Sequence, residues 1–517
     1  MSRTPSRRTV LRGLTVTGAA VIGFDPATRS WATTGPASAT ESATASGPAS
    51  ATESATASGP GPTAGIPGVS RIPRLDGTLV TDEPSLTAAA DDFGHIVHRR
   101  PVAVLRPGSV RDVVAMIRFC GEHRLPVAPR GQGHAAFGQA QVEGGLVVET
   151  ATLADIGPLG PGGTTVTVGA GARWSDVAKA TLAHGLTPPV FTDYLELSVG
   201  GTLSVGGLGG QAHRHGAQVD NVTELRVVTG AGELLRCSPS RRPDLFRAVL
   251  AGLGQCAVIV EATLRLVRAP ETVRHYQLTY DDLETFLDDQ RVLAEEGRFD
   301  YVEGQVFADA DGRFRTYVME VVAYGPPAGP APDDTALLRG LRHDPAAVHR
   351  TDLPYYDFLD RLAPTVAALK AAGQWTWAHP WLDLLLPGSS AATVAAPLLD
   401  ALTPADLGPG VILFYPLLRD RLTTPLFRAP DEPVTYLFDI LGAVPPDDTA
   451  TLNRLLAANR SAYESAAAVG GHWYPVGSIP FTPADWQAHF GPAWSGLEAA
   501  KRAYDPRSLL TPGQNVF

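Results

Sequence analysis

At 517 residues the chain exceeds what one ordinary hydrophobic core organises, so two or three folding units and room for a large buried cleft are expected. Its 44% hydrophobic and 18% charged content excludes a disordered or fibrous protein. A net charge of −11 argues against nucleic acid or an anionic membrane surface as a partner.

The first residues read as an address. Ser6-Arg7-Arg8-Thr9-Val10-Leu11, a mildly apolar run from Leu14 to Phe24 and then Trp31-Ala32-Thr33 follow the order of a twin-arginine export signal over 1–33. The run is too short to span a bilayer, so an exported, extracellular or cell-envelope protein without a membrane span is expected. Residues 35–46 read GPASATESATAS and 47–58 repeat them letter for letter. Such small, polar, proline-interrupted sequence cannot bury enough surface to offset its ordering entropy, which makes 34–74 a linker.

Beyond Thr81 short apolar strands alternate with amphipathic helices. Strands are predicted over 101–107, 127–129, 146–149 and 165–168, and helices over 109–123 and 174–184. The stretch 192–218 is rich in glycine and reads as a loop-rich segment with backbone pressed close to a ligand. Strands 225–228 and 258–262 close a first unit, with a boundary near Val273. The region 273–470 reads as a separate α+β layer with strands over 301–307 and 317–323. The terminus, 471–517, is expected to dock back onto the first unit. Cys120, Cys237 and Cys256 are odd in number, widely spaced and free of any CxxC or Cys/His cluster, and read as buried packing residues. His213 and His215 stand at i,i+2 with no carboxylate or thiolate beside them, so no metal site is expected.

Arg130-Gly131-Gln132-Gly133-His134 puts a histidine on a glycine turn directly after a strand, where backbone amides can cradle a pyrophosphate. Alone this is weak, because no strict G-x-G-x-x-G with a following acidic residue is present. With Gly138-Gln139-Ala140, Phe191-Thr192-Asp193-Tyr194-Leu195, Val199-Gly200-Gly201-Thr202-Leu203-Ser204, Gly210-Gln211-Ala212, Asp244-Leu245-Phe246, Tyr504-Asp505-Pro506 and Pro512-Gly513-Gln514 in one order, the chain resembles the cytokinin dehydrogenases, FAD proteins of the vanillyl-alcohol oxidase type.

The resemblance implies an α+β fold in which a split FAD-binding domain (75–272 and 471–517) carries an inserted α+β substrate, or cap, domain (273–470). It implies covalent FAD on His134, with Arg130, Gly131, Gln132, Gly133, Ala135, Gln139, Ser198, Ser204, Leu208, Ile259, Tyr474, Thr511 and Gln514 around the cofactor. Asp193 and Glu303 look like the catalytic carboxylates, and Trp381 and Asp383 like substrate contacts. The activity implied is oxidation of the side-chain amine of an N6-alkenyl adenine, with a quinone-like acceptor or oxygen regenerating the flavin, in a monomer. Two departures stand out: Ala135 replaces the serine that usually follows the flavin-linked histidine, and Asp383 stands where the family has Asn. An FAD-linked alcohol or sugar oxidase on the same scaffold is the alternative within chemistry, and a non-catalytic ligand-binding flavoprotein the alternative of another class.

Overall fold

Period-two alternation of apolar residues in the strand segments builds three large sheets and one two-stranded ribbon, Leu186–Thr187 with Val267–Arg268, in residues 75–517, which form one compact unit with the helices that cover them. The computed structural model describes residues 21–25, 30–33, 69–325 and 332–517. In the N-terminal unit, residues 1–74, the backbone of Val21–Asp25, Ser30–Thr33 and Val69–Arg71 pairs as a three-stranded antiparallel sheet. The arginine pair of the expected export signal and the tandem repeat lie outside the described residues.

The first sheet of the large unit has four strands in the order Thr78–Val80, Ala103–Arg106, Leu146–Glu149, Val127–Arg130. Its last three strands are parallel, which requires crossovers, and the helix Val110–His123 supplies one. Val113, Met116, Ile117 and Cys120 recur on one face of that helix and are fully buried. The second sheet is antiparallel, with five strands in the order Leu234–Cys237, Val222–Thr229, Ala257–Arg265, Thr165–Gly169, Ile156–Leu159. The third has eight antiparallel strands, ordered His349–Pro354, Thr272–Tyr280, Phe314–Gly325, Tyr301–Ala308, Val411–Leu418, Val434–Leu441, Leu382–Pro387, His472–Trp473. The fold is α+β.

The C-terminus returns to the first sheet. Val127 N–H donates to Leu509 C=O at 2.8 Å and Thr511 N–H to Val127 C=O at 2.8 Å. Behind this contact Lys501 Nζ meets Asp505 Oδ2 at 2.8 Å with both side chains buried, and Asp505 also accepts from the amides of Leu509 and Leu510. Cys120, Cys237 and Cys256 are buried free thiols, each pushed up to about 12 chiefly by burial.

The loop-rich stretch 192–218 also holds the short helices Val199–Leu203 and Ala212–His215. Each is about one turn, too short for an apolar period to show in the sequence, and each is fixed from outside: Val199 N–H donates to Ala172 C=O at 2.9 Å and Trp174 Nε1–H to Thr202 Oγ1 at 2.9 Å.

Candidate active site

A cavity of about 760 Å³ runs from the glycine turn after Val127–Arg130 to one face of the eight-stranded sheet, within the size range of small-molecule sites. At one end Arg130 leads into Gly131, Gln132, Gly133, His134 and Ala135, all of which line it. Gly133 holds a φ of +68°, and a Cβ on Gly131 would lie 2.0 Å from Ser198 Oγ, so this crossing of two chains needs glycine. Among the described residues, the amides of Gln132, Gly133, His134 and Ala135 find no protein acceptor. Four free N–H groups beside a cavity suit the oxygens of a pyrophosphate, and the donors remain although Ala135 carries no hydroxyl. Gln139, Ser198, Ser204, Leu208, Ile259, Tyr474, Thr511 and Gln514 continue the same wall. Gln139 Nε2–H donates to Gly477 C=O at 3.0 Å, and Tyr474 OH accepts from Gly207 N–H at 3.0 Å, which ties this wall together. The residues present therefore fit FAD.

His134 is enclosed by rings: Phe93 at 4.0 Å between centroids, Tyr194 at 5.1 Å, Trp381 at 5.7 Å and Trp375 at 5.9 Å. Burial, helped by His379 and Lys370, lowers its pKa to about 3, so the imidazole is neutral at physiological pH and keeps a free nitrogen lone pair. The histidine loop is pinned from behind by Phe93 N–H to Gly133 C=O at 2.9 Å and Gly94 N–H to Ala135 C=O at 3.1 Å.

The floor is sheet. Glu303 and Gln305 on Tyr301–Ala308, Glu320 on Phe314–Gly325, Tyr415 on Val411–Leu418 and Asp439 on Val434–Leu441 share one face because partners in antiparallel register point the same way. Glu303 is 1% exposed and Asp193, from the turn between Phe191 and Tyr194, reaches over it. Arg361 joins them. Its Nη2 donates to Asp193 Oδ1 at 2.8 Å and Glu303 Oε2 at 3.3 Å, its Nε to Glu320 Oε1 at 3.1 Å, and it also meets Tyr301 OH. Tyr301 OH in turn donates to Asp193 Oδ1 at 2.9 Å. His275 Nε2 lies 2.9 Å from Glu320 Oε1, at an angle too poor for a straight hydrogen bond.

The charges in this cluster do not balance, which sets the protonation. Burial and the neighbouring Asp193 push the Glu303 carboxyl far above the usual carboxylate range, outweighing Arg361. Burial also penalises a charged Glu320, but Arg361 and His275 win and hold it down at about 2. Glu303, pushed toward its neutral form, thus sits beside Asp193 and Glu320, which share the Arg361 guanidinium. Such a division suits proton transfer from a donor held over Asp193. Trp381 and Asp383 line the cavity further along the sheet, where Trp381 Nε1, Asp383 Oδ2, Asp439 Oδ1 and Glu303 Oε1 are buried without a hydrogen-bond partner. Orphaned polar atoms around one cavity mark places a ligand satisfies.

Every residue the sequence pointed to lines this one cavity. Arg361, Tyr301, Glu320 and Asp439 were missed. Arg361 follows the short helix Tyr355–Leu359 with nothing local to mark it, whereas Glu320 and Asp439 each interrupt an apolar strand, a signal that was available. Both ring nitrogens of His213 meet backbone carbonyls, Nδ1 at 2.8 Å from Gly210 C=O and Nε2 at 3.1 Å from Phe299 C=O.

Comparison with known proteins bears on the same residues. Residues 101–238 match an FAD binding domain, and 315–517 match the FAD and cytokinin binding region of cytokinin dehydrogenase 1. The chain is 37% identical over 489 residues to cytokinin dehydrogenase 10 of Oryza sativa subsp. japonica, covering 84% of this chain and 88% of that protein. It belongs to the cytokinin dehydrogenase family. Cytokinin dehydrogenase 4 of Arabidopsis thaliana is 35% identical over 86% of this chain and 93% of its own length. An uncharacterized oxidoreductase, ORF5 in the fasciation locus of Rhodococcoides fascians, is 41% identical over 86% of this chain and 99% of its own. This family member is an FAD-dependent oxidoreductase with a small-molecule substrate, and no helix among its described residues is long and apolar enough to cross a membrane.

Proposed function

We propose that the protein oxidises the side-chain secondary amine of an N6-alkenyl adenine to an imine, which water cleaves to adenine and an aldehyde, using FAD bound covalently through His134. The observation that carries the reading is the Asp193–Arg361–Glu303 cluster, which places a paired carboxylate and a neutral carboxylic acid over the inner face of the cavity that begins at His134.

Asp193 accepts the proton of the substrate amine. Arg361 and Tyr301 hold its Oδ1 from one side and so fix the carboxylate's orientation. Loss of that proton raises electron density on nitrogen and eases departure of hydride from the adjacent carbon. Bound FAD supplies the acceptor for that hydride. Glu303, kept protonated by burial, limits the negative charge near the reacting nitrogen. Trp375, Trp381 and Tyr194 offer faces for a planar heterocycle. The neutral His134 has the lone pair that a bond to the flavin 8α-methyl carbon requires.

The FAD domain comprises 75–272 and 471–517 around a cap of 273–470, the enzyme is an exported monomer, and a quinone-like acceptor or oxygen takes the electrons. Intact mass of the denatured protein tests the covalent bond: wild type carries one added FAD, and His134→Ala carries none while still binding flavin reversibly. Loss of flavin from denatured wild type contradicts the bond.

A further inference from the structure

The inner end of the cavity carries a second pair of carboxyls that the amine chemistry does not use. Gln305 faces Leu413, Leu413 faces Asp439 and Asp439 faces Asp383, a register that runs one row of side chains across four adjacent strands on the cavity face. Asp383 is 1% exposed and Asp439 5%. Asp383 Oδ2 and Asp439 Oδ1 are enclosed and unpartnered, and among the described residues neither carboxyl pairs with a cation. The surroundings are built to admit them: a Cβ on Gly477 would fall 2.2 Å from Asp383 Oδ2. Burial raises both carboxyls well above their usual range, and for Asp439 the charge of Asp383 adds to it. Two carboxyls so placed hold at least one proton between them.

Position decides what the pair meets. The helix Ala363–Ala371 has no buried residue, yet its Thr365, Val366 and Leu369 line the cavity, so this helix forms the mouth. The buried aspartates are flanked in the cavity wall by Leu413, Leu437 and Leu441. Asp439 is two strands across and one same-face step along from Glu303, about 12 Å between Cα atoms by sheet spacing. A five-bond alkenyl tail reaches about 6 Å. With a hydrogen bond of about 2.8 Å at each end, such a tail covers about the span that separates the Glu303 and Asp439 positions on the sheet.

We propose that Asp383 and Asp439 form a hydroxyl-binding subsite that selects N6-alkenyl adenines whose tail ends in a hydroxyl over those whose tail is hydrocarbon. The proposal rests on the amine-oxidation reading above and narrows its substrate. A hydroxyl both donates and accepts, which matches a carboxylate and a carboxylic acid sharing a proton. A hydrocarbon tail leaves both orphans unpaired, and sites that hydrogen-bond a substrate hydroxyl reject the analogue lacking it. A cationic tail would have to shed its water among leucines.

The test is kcat/KM of the flavin-loaded enzyme for isopentenyladenine and for its terminally hydroxylated counterpart, in wild type, Asp383→Asn/Asp439→Asn and Asp383→Leu/Asp439→Leu, with flavin content and melting temperature confirming folding. Wild type should prefer the hydroxylated substrate by about tenfold or more, equivalent to about 1.4 kcal/mol. The amide pair, which also donates and accepts, should keep most of that ratio, and the leucine pair should lose or invert it. If the leucine pair does not fold, the amide pair and a single Asp439→Leu carry the comparison. Equal rates for both substrates in wild type, or an unchanged ratio without the carboxyls, overturns the proposal while leaving amine oxidation standing. Oxidation of neither substrate removes the parent reading, and this one with it.

Discussion

Replacing Arg361 by Met should cost activity through protonation rather than through loss of substrate contact. The guanidinium touches Asp193, Glu303 and Glu320 at 2.8, 3.3 and 3.1 Å, and among the described residues no other cation pairs with Asp193. Charge centres about 4 Å apart at an effective dielectric of about 20 interact by roughly 4 kcal/mol, or about three decades of proton affinity. Removing the cation leaves the buried Glu303 and Glu320 and the partly buried Asp193 around one empty place, so the cluster takes up protons that it otherwise excludes. The acid limb of the pH profile of kcat/KM should therefore move upward by two to three pH units, on the order of the interaction above. Below the displaced limb the variant should lose about tenfold in rate per pH unit relative to wild type, and it should recover as pH rises past that limb. Arg361→Lys keeps the charge and loses the fork, so its acid limb should stay near the wild-type position with a smaller fall in rate. Stopped-flow flavin reduction against pH, in enzyme of matched flavin content, makes the measurement. An Arg361→Met enzyme whose acid limb coincides with wild type would refute the argument.

Three further outcomes follow from the same geometry. Gly131→Ala should lower FAD retention about tenfold, because its Cβ would lie 2.0 Å from Ser198 Oγ, and Ser198→Gly should restore part of it; a double-mutant cycle with no coupling contradicts this. Glu320 has a folded pKa near 2, below the ordinary 4.5, so it adds stability above pH 4.5 that is lost as pH falls toward 2. Urea midpoints between pH 5 and 2 should thus fall less steeply for Glu320→Gln than for wild type, and parallel curves would count against the Arg361–Glu320 pairing. Asp505→Ala strands the buried ammonium of Lys501 and two backbone amides, and should destabilise the C-terminal return by about 3–5 kcal/mol in chemical denaturation. A change below about 1 kcal/mol would mean that water reaches Lys501.

How much of this was legible in the sequence varies with the range of the forces involved. Strands such as Tyr301–Ala308 and Ala257–Arg265 were readable because alternation is a local property of the chain. His134 was readable because a turn needing Gly131 and Gly133 leaves its mark in a few consecutive residues. Asp193 and Glu303 were reached only through resemblance, since a turn aspartate and a strand glutamate look alike whether buried or solvated. Arg361 was not reached at all: it lies 58 residues from Glu303 in sequence, and only the stacking of strands and turns brings them together. The helices at 199–203 and 212–215 escaped for a related reason, being fixed by contacts from outside rather than by their own propensity. Asp439 could have been noticed, because an acid in the apolar run Val434–Leu441 must either be paired or face a cavity.

The measurement that bears most directly on the central claim is anaerobic addition of isopentenyladenine, or its hydroxylated counterpart, to the purified holoenzyme while the flavin absorption band is followed. Oxidation of the side-chain amine requires rapid bleaching of that band at stoichiometric substrate, abolished or slowed by at least a hundredfold in Asp193→Asn, where the proton acceptor is gone. A band that persists with both adenines and bleaches instead with an alcohol or a sugar would contradict amine oxidation, and would assign the same cavity to hydroxyl substrates.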